Sequence, residues 1–458
     1  MGDATRGACQ PTARRRLAAL RGWRRRRLAV LAGLLVAALL GVVAGVTLGA
    51  LPPTSRDGVA TPAGSGSASP IPSSGPSTTA PAACPGVPPE PPAAAASSSP
   101  PPVSPGARIA AYFVVPAAIL CGNVALLASM QADAITFGYR VVPTSASSYP
   151  PAVQRLVGGR AAYGYTGSVE WSPAALRPAD RTVTVAGVTW TVMDTGRGTV
   201  VVSQGGTDRL RALNAAGNRL SARTIVGLPA PRAGSQGGVA YLPDTTYLAA
   251  LAEFTTRFVL DQRAEGADGF YQHVEMPVSE TGTWASVRSL YAAQNAAVSG
   301  VWPGALVILS PYLESRTAKA GLSPEEAARG ARLLVETARG TRLLLAPQDG
   351  LGVGTTALSE DRATGRVAPL EAYLRAMRAA VGTRLWANIE LMRPGPDGSR
   401  LPTTQARVAQ QLTAEAPYVS GFIAFPWDDS SRGIGATRVP GGVTLWSAGF
   451  GRTLLTGG

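Results

Sequence analysis

Residues 108–458 of this 458-residue chain predict a (β/α)8 barrel, and three observations carry the prediction. Eight apolar, β-branched runs recur along the segment, each bounded by turn residues. Helical stretches lie between most of them, and strand–helix–strand repeated in that way is the pattern of a parallel sheet closed by outer helices. An open doubly wound sheet shares the alternation, but no G-x-G-x-x-G follows the first strand.

The expected strands, in order, are AAYFVVP (110–116), DAITFGYRVVP (133–143), ARTIVGLPAP (222–231) and GFYQHVEMP (269–277). ALVILSPYL (305–313), RLLLAPQDG (342–350), LWANIELM (385–392) and GFIAFPWDD (421–429) complete the eight. TYLAALAEFTTRFVLDQRA precedes the fourth strand as a helix and TGTWASVRSLYAAQNAAV follows it. SPEEAARGARLLVETARG has a serine N-cap, acids in its first turn and a glycine stop, and PLEAYLRAMRAAVG and TTQARVAQQLTAEA read the same way. One excursion breaks the rhythm. Residues 181–206 read as short antiparallel strands between glycine turns, a β insertion between the second strand and its helix.

The segment ahead of the barrel has a different character. The chain carries 42 Lys+Arg against 28 Asp+Glu, a net +14. Nine arginines and a single acid fall within residues 1–27, so most of the excess is local and no basic face for nucleic acid is expected. Residues 28–51 hold no charge and are long enough to span a bilayer. Arginines on the N-terminal side orient such a helix with its N-terminus in the cytoplasm and the rest outside. A cleaved signal peptide is the competing reading, but its apolar region is usually about 7–15 residues. Residues 52–107 are Pro, Ser, Ala, Thr and Gly, unable to bury a core, and read as a disordered stalk. Of the three cysteines, Cys9 falls on the cytoplasmic side; Cys84 and Cys121 share the exterior and are the pair available for a disulfide. With one histidine and no CxxC, neither a metal nor a cofactor is expected.

Active sites of such barrels lie at the C-terminal ends of the strands. The ends are polar here: Tyr139 and Arg140 on strand two, His273 and Glu275 on four, Ser310 and Tyr312 on five. Gln348 and Asp349 follow on six, Asn388 and Glu390 on seven, and Trp427, Asp428 and Asp429 on eight. Any one such residue is ordinarily just solvated. Gathered on one rim, they form a pocket suited to a sugar, with aromatic faces for the ring and carboxylates for the chemistry. Glycosidic cleavage needs one carboxyl as acid/base and a second as nucleophile or base. Glu275 and Glu390 end strands four and seven, the positions those two groups hold in the large retaining-glycosidase superfamily built on this barrel. Glu275, between Val274 and Met276, is expected to have a raised pKa and Glu390 to stay ionised. Tyr139, His273, Gln348, Asp349 and Asn388 are expected to bind substrate, with Tyr312 and Trp427 stacking on rings.

GFYQHVEMP, VILSPYL, LLLAPQDGLGVG and LWANIELM together resemble the bacterial domain of unknown function 4434, a glycoside-hydrolase-like barrel, over roughly residues 108–430. The resemblance implies the barrel and a link to carbohydrate, with Glu275 as proton donor and Glu390 as nucleophile by analogy. Val274-Glu275 replaces the usual Asn-Glu pair at strand four. The expected function is a membrane-anchored extracellular retaining glycosidase acting on a surface or exo-polysaccharide. The alternative is a non-catalytic carbohydrate-binding or scaffold protein, docking a membrane glycosyltransferase through the anchor helix.

Overall fold

The computed structural model describes residues within 109–439, apart from 115–126, 128–131, 168–170, 205–208, 221–222, 232–243, 279–283, 317–320, 359–368 and 429–432. The expected basic segment, membrane helix and stalk (residues 1–107), all three cysteines and Asp429 lie outside those residues. Among the described residues no helix is long and apolar enough to cross a membrane.

In chain order, β1 (Ile109–Val114) and β2 (Asp133–Thr136) are followed by β3 (Tyr139–Pro143), α1 (Pro151–Val157), β4 (Ala162–Gly167), β5 (Arg181–Val185), β6 (Val188–Asp194) and β7 (Thr199–Gln204). Then come α2 (Arg209–Leu220), β8 (Thr224–Gly227), α3 (Thr245–Ala264), β9 (Gly269–Gln272), α4 (Trp284–Val301), β10 (Leu306–Leu309) and α5 (Pro324–Val335). β11 (Arg342–Leu345), α6 (Leu370–Val381), β12 (Ala387–Glu390), the hairpin β13 (Met392–Pro394) and β14 (Arg400–Pro402), α7 (Gln405–Glu415) and β15 (Phe422–Phe425) complete the fold.

Eight strands form one parallel sheet in the order β11-β10-β9-β8-β2-β1-β15-β12. Its two ends meet. Trp386 N donates to Leu345 O at 2.8 Å, Asn388 N to Pro347 O at 2.9 Å, and Asp349 N to Asn388 O at 3.0 Å. The result is a nearly closed eight-stranded barrel, with the eight runs read from the sequence as its strands in sequence order. The strands read as unbroken apolar runs such as LVIL because both faces are buried. Phe113, Ile135, Ile225, Tyr271, Leu306, Ile308, Leu344 and Ile423 fill the interior. Phe270, Val307, Leu309, Leu343 and Leu345 face outward against Phe254, Leu290, Leu334 and Tyr373 of the surrounding helices. The helix caps follow the sequence: Ser323 and Glu326 close a reciprocal capping box on α5, and the Asp244 and Thr404 side chains cap α3 and α7.

The second run departs from its expected course. Gly138, at φ 100°, turns the chain out of the barrel after Thr136, a conformation side chains disfavour. Tyr139–Pro143 therefore starts the insertion, a five-stranded sheet of order β3-β4-β7-β6-β5 that is larger than the expected 181–206 excursion. The insertion is fastened to α3. Tyr163 stacks on Tyr247 at 4.8 Å and Trp171 meets Phe258 edge-on at 5.3 Å. Beneath them Arg257 clasps Asp180 with two hydrogen bonds of 2.9 and 2.5 Å, out of water.

Candidate active site

Alternation along a strand decides which side chains reach the mouth. In β9 and its extension, Phe270, Val274 and Met276 belong to the outer core, so Tyr271, His273 and Glu275 face the interior. Tyr271 packs on Phe113 with ring centroids 4.8 Å apart. Above them sit Phe137 and Phe425, half-buried, 6.2 Å from each other and each about as far from Phe113. The His273 ring lies 6.0 Å from Phe137 and 6.4 Å from Tyr271. These rings form an aromatic floor at the C-terminal end of the barrel.

His273 Nδ1 is 3.3 Å from the Tyr139 carbonyl, and burial holds its pKa down to about 4. The ring is therefore neutral at ordinary pH. Because a carbonyl can only accept, Nδ1 carries the proton and Nε2 is left as an acceptor.

Glu275 is exposed to solvent, yet the protein around it removes enough water to raise its pKa. Accessible and desolvated together describe a carboxyl in a concavity rather than on a convex surface. A hydrogen bond with Gln348 and the charge of Arg400 pull the other way. Backbone bonds align its neighbours: Tyr312 N to Met276 O at 2.9 Å, Val278 N to Tyr312 O at 3.1 Å, and Gln348 N to Pro311 O at 2.8 Å. Tyr312 and Gln348, both half-buried, thus stand beside Glu275 on the next two strand ends.

The seventh strand delivers its glutamate to a different setting. Glu390 is 2 % exposed. Its Oε2 accepts from Val353 N at 2.9 Å, and Gly352 N also bonds the carboxyl. A Cβ on Gly352 would fall 2.7 Å from Glu390 Cβ and 2.6 Å from Met392 Cγ, so only glycine lets this loop close over the carboxyl. Behind lies Asp349, whose Oδ2 accepts from Gln411 Nε2 at 2.7 Å and whose Oδ1 accepts from Leu351 N at 3.0 Å. Glu415 of α7 is buried next to Asp349. Burial first, and then the charge of Asp349, pushes Glu390 up to about 8; burial pushes Asp349 up to about 7. Glu415 is raised well above the usual carboxylate range by burial and the charge of Asp349. Three carboxyls in one dry corner do not all ionise at neutral pH. Among the described residues no three His, Cys, Asp or Glu side chains converge as metal ligands.

Several sequence expectations need correction here. Glu390 is not the readily ionised carboxylate expected, because burial and the charge of Asp349 raise its pKa toward the protonated form. Tyr139 is fully buried against Phe258, 5.9 Å between centroids, because Gly138 has turned it into the insertion. Trp427 is fully buried edge-on to Tyr112 at 5.1 Å and has no free face for a sugar ring. Asn388 is buried, its Nδ2 donating to Ser310 Oγ at 2.9 Å, and Asp349 lies behind the rim. The structure does bring His273, Glu275, Tyr312 and Gln348 together at the open mouth. It adds Phe137 and Phe425, whose alternation with interior residues of their own strands was the available signal. It also adds Arg400, whose charge reaches both Glu275 and Glu390; nothing in the hairpin sequence marks it.

No family model matches the chain. Nor does any curated protein. Among solved structures, a Bacteroides thetaiotaomicron protein described as an α-L-fucosidase aligns with TM-score 0.46 at 14 % identity, over 78 % of this chain and 97 % of that one. The spore cortex-lytic enzyme SleL of Bacillus cereus aligns with TM-score 0.41 at 7 % identity, over 76 % and 75 %. The carboxyl transferase domain of Rhizobium etli pyruvate carboxylase aligns with TM-score 0.30 at 14 % identity, over 47 % of this chain but only 29 % of that chain. Likeness at this level carries nothing about activity, so a functional reading has to come from the residues.

Proposed function

We propose that residues 108–458 are a glycan-hydrolysing barrel, kin to the domain-4434 family, acting on a surface or exo-polysaccharide by a retaining mechanism. The observation that carries the reading is the pair at the strand ends. Glu275 and Glu390 close the fourth and seventh barrel strands, face the same mouth, and lie within the field of one guanidinium, Arg400. Glu275 is the proton donor: desolvation shifts its pKa upward, the direction a general acid needs, and its open position lets a glycosidic oxygen approach. Glu390 is the second carboxyl, and it acts once it has lost its proton and the Gly350–Gly354 backbone has moved off it. Phe137 and Phe425 offer the apolar face a sugar ring packs on, with His273 Nε2, Gln348 and Tyr312 available to its hydroxyls. The uncharged residues 28–51, preceded by arginines, support anchorage in a bilayer with this part outside.

The burial of Glu390 favours one other reading, a carbohydrate-binding scaffold without turnover that docks a membrane glycosyltransferase. Incubating the full-length chain with a panel of polysaccharides, and following new reducing ends and their anomeric form by proton NMR, separates the two. Hydrolysis with retention that Glu275→Gln abolishes, with binding kept, supports the hydrolase. Binding without any new reducing ends in the unaltered chain removes it in favour of the scaffold.

A further inference from the structure

Two arginines, Arg140 and Arg400, flank the mouth. Arg140 follows the buried Tyr139 and therefore points the opposite way; it is exposed, and its charge reaches His273. Its backbone is held between the ends of the second and third barrel strands, where Val141 N donates to Ala230 O at 3.0 Å and Ala230 N to Tyr139 O at 2.9 Å. Arg400 is exposed on the hairpin directly after the seventh strand, opposite Pro394. Around an eight-membered ring, the second and third strands stand across from the seventh. Among the described residues neither guanidinium has a hydrogen-bond or ion-pair partner, whereas the nearby Glu314 is already clasped by Arg316. Of the two glutamates, Glu390 is buried beneath the Gly352–Val353 backbone, which leaves Glu275 as the exposed carboxyl between the two arginines. Two exposed guanidiniums across an aromatic floor match a ligand that is a sugar in its rings and an anion in its substituents.

We propose that the mouth takes an acidic glycan, its carboxylate or sulfate groups gripped by Arg140 and Arg400 from opposite sides. This rests on the glycan reading above. The pair sets the substrate class, binding anionic substituents on sugars either side of the one over Phe137 and Phe425.

The test is calorimetric titration of the full-length chain with three oligosaccharides of equal length: an oligogalacturonide, its carboxyl-reduced neutral counterpart, and a sulfated oligosaccharide. One or both charged ligands bind about ten-fold or more tighter than the neutral one, the scale of one or two charge-assisted hydrogen bonds. Which of them does so tells carboxylate from sulfate. Arg140→Gln and Arg400→Gln each remove most of that advantage, measured against the same variant's own binding of the neutral ligand, and added salt narrows it. Arg160→Gln, which breaks an exposed pair with Asp194 on the insertion, changes nothing. Equal or tighter binding of the neutral ligand overturns the proposal and leaves the glycan reading standing. Loss of neutral binding in both variants also overturns it, since the arginines are then structural. Binding of none of the three overturns both.

Discussion

The ends of the fourth and seventh barrel strands present the same residue to the same mouth and treat it in opposite ways. Glu275 is open, and its neighbours Gln348, Tyr312 and His273 are half-exposed. Glu390 is roofed by the backbone of Gly352 and Val353 and backed by Asp349 and Glu415. Strand alternation decides which way a side chain points, and the loops around the strand end decide what it meets there. The seventh-strand corner is covered by GLGVG (350–354), the loop after the sixth strand, whose glycines let backbone settle directly on a carboxyl. The same chemistry is thereby split into a group poised at solvent and a group held in reserve.

The largest effect separates these roles outright. Glu390→Gln keeps the neutral shape that burial already favours, so the variant folds, and glycan turnover drops by about 10²–10⁴ or more if the second carboxyl takes part. Initial rates on the best polysaccharide, alongside Glu275→Gln, make the comparison. A Glu390→Gln enzyme with full activity leaves Glu390 a structural residue and Glu275 working with some other partner.

The dry corner also gives stability a pH dependence. Glu390, Asp349 and Glu415 all have folded pKa values above their unfolded ones. The fold therefore holds protons the unfolded chain has lost. Its stabilisation is complete below about pH 4 and is lost as pH rises through about 7–8, on the order of a few kcal/mol. Thermal unfolding followed from pH 5 to 9 should show a falling Tm. In Glu390→Gln the fall is shallower, and above pH 8 the variant is the more stable protein. A flat profile in the unaltered chain places these carboxyls in water and dissolves the contrast.

A smaller effect probes the roof. Gly352→Ala puts a methyl group 2.7 Å from Glu390 Cβ. Lifting the loop to make room costs about 1–3 kcal/mol. Urea unfolding measures the loss, and the Tm–pH profile should flatten at the same time because water gains entry. Destabilisation with an unchanged profile means that the loop moved as a whole without uncovering Glu390.

The contrast was only half legible in the sequence. The eight strands were readable because parallel strands covered on both faces leave unbroken apolar runs, as LVIL and RLLL show. Capping was readable because Ser323 and Glu326 are three residues apart on one short segment. Counting strands therefore located both glutamates. Their surroundings were not readable, because Glu390 owes its burial to Gly352, far upstream, and to α7, well downstream. Tyr139 was misplaced because Gly138, buried in the middle of an apparently continuous strand, is where the chain leaves the barrel. Trp427 shares its parity with the inward-facing Phe425, but the strand ends at Phe425 and the alternation ends with it.

The least perturbing measurement uses the chain's single histidine. His273 sits two residues before Glu275 and faces the same mouth, so its titration reports how wet the rim is. Burial among Phe137, Tyr271 and the Tyr139 carbonyl gives a pKa of about 4, against about 6.5 for a solvated imidazole. The sign follows from burial: the charged ring is the disfavoured form, so His273 is neutral across pH 5–8 and contributes no inflection to any activity profile there. With 13C-labelled histidine, one imidazole resonance appears in the full-length chain and its shift can be followed directly from pH 3 to 8. A midpoint near 4 keeps the rim concave and partly dry, with Nε2 free to accept from a sugar hydroxyl. A midpoint near 6.5 makes it an ordinary wet surface, and the raised pKa of Glu275, which has the same physical origin, falls with it.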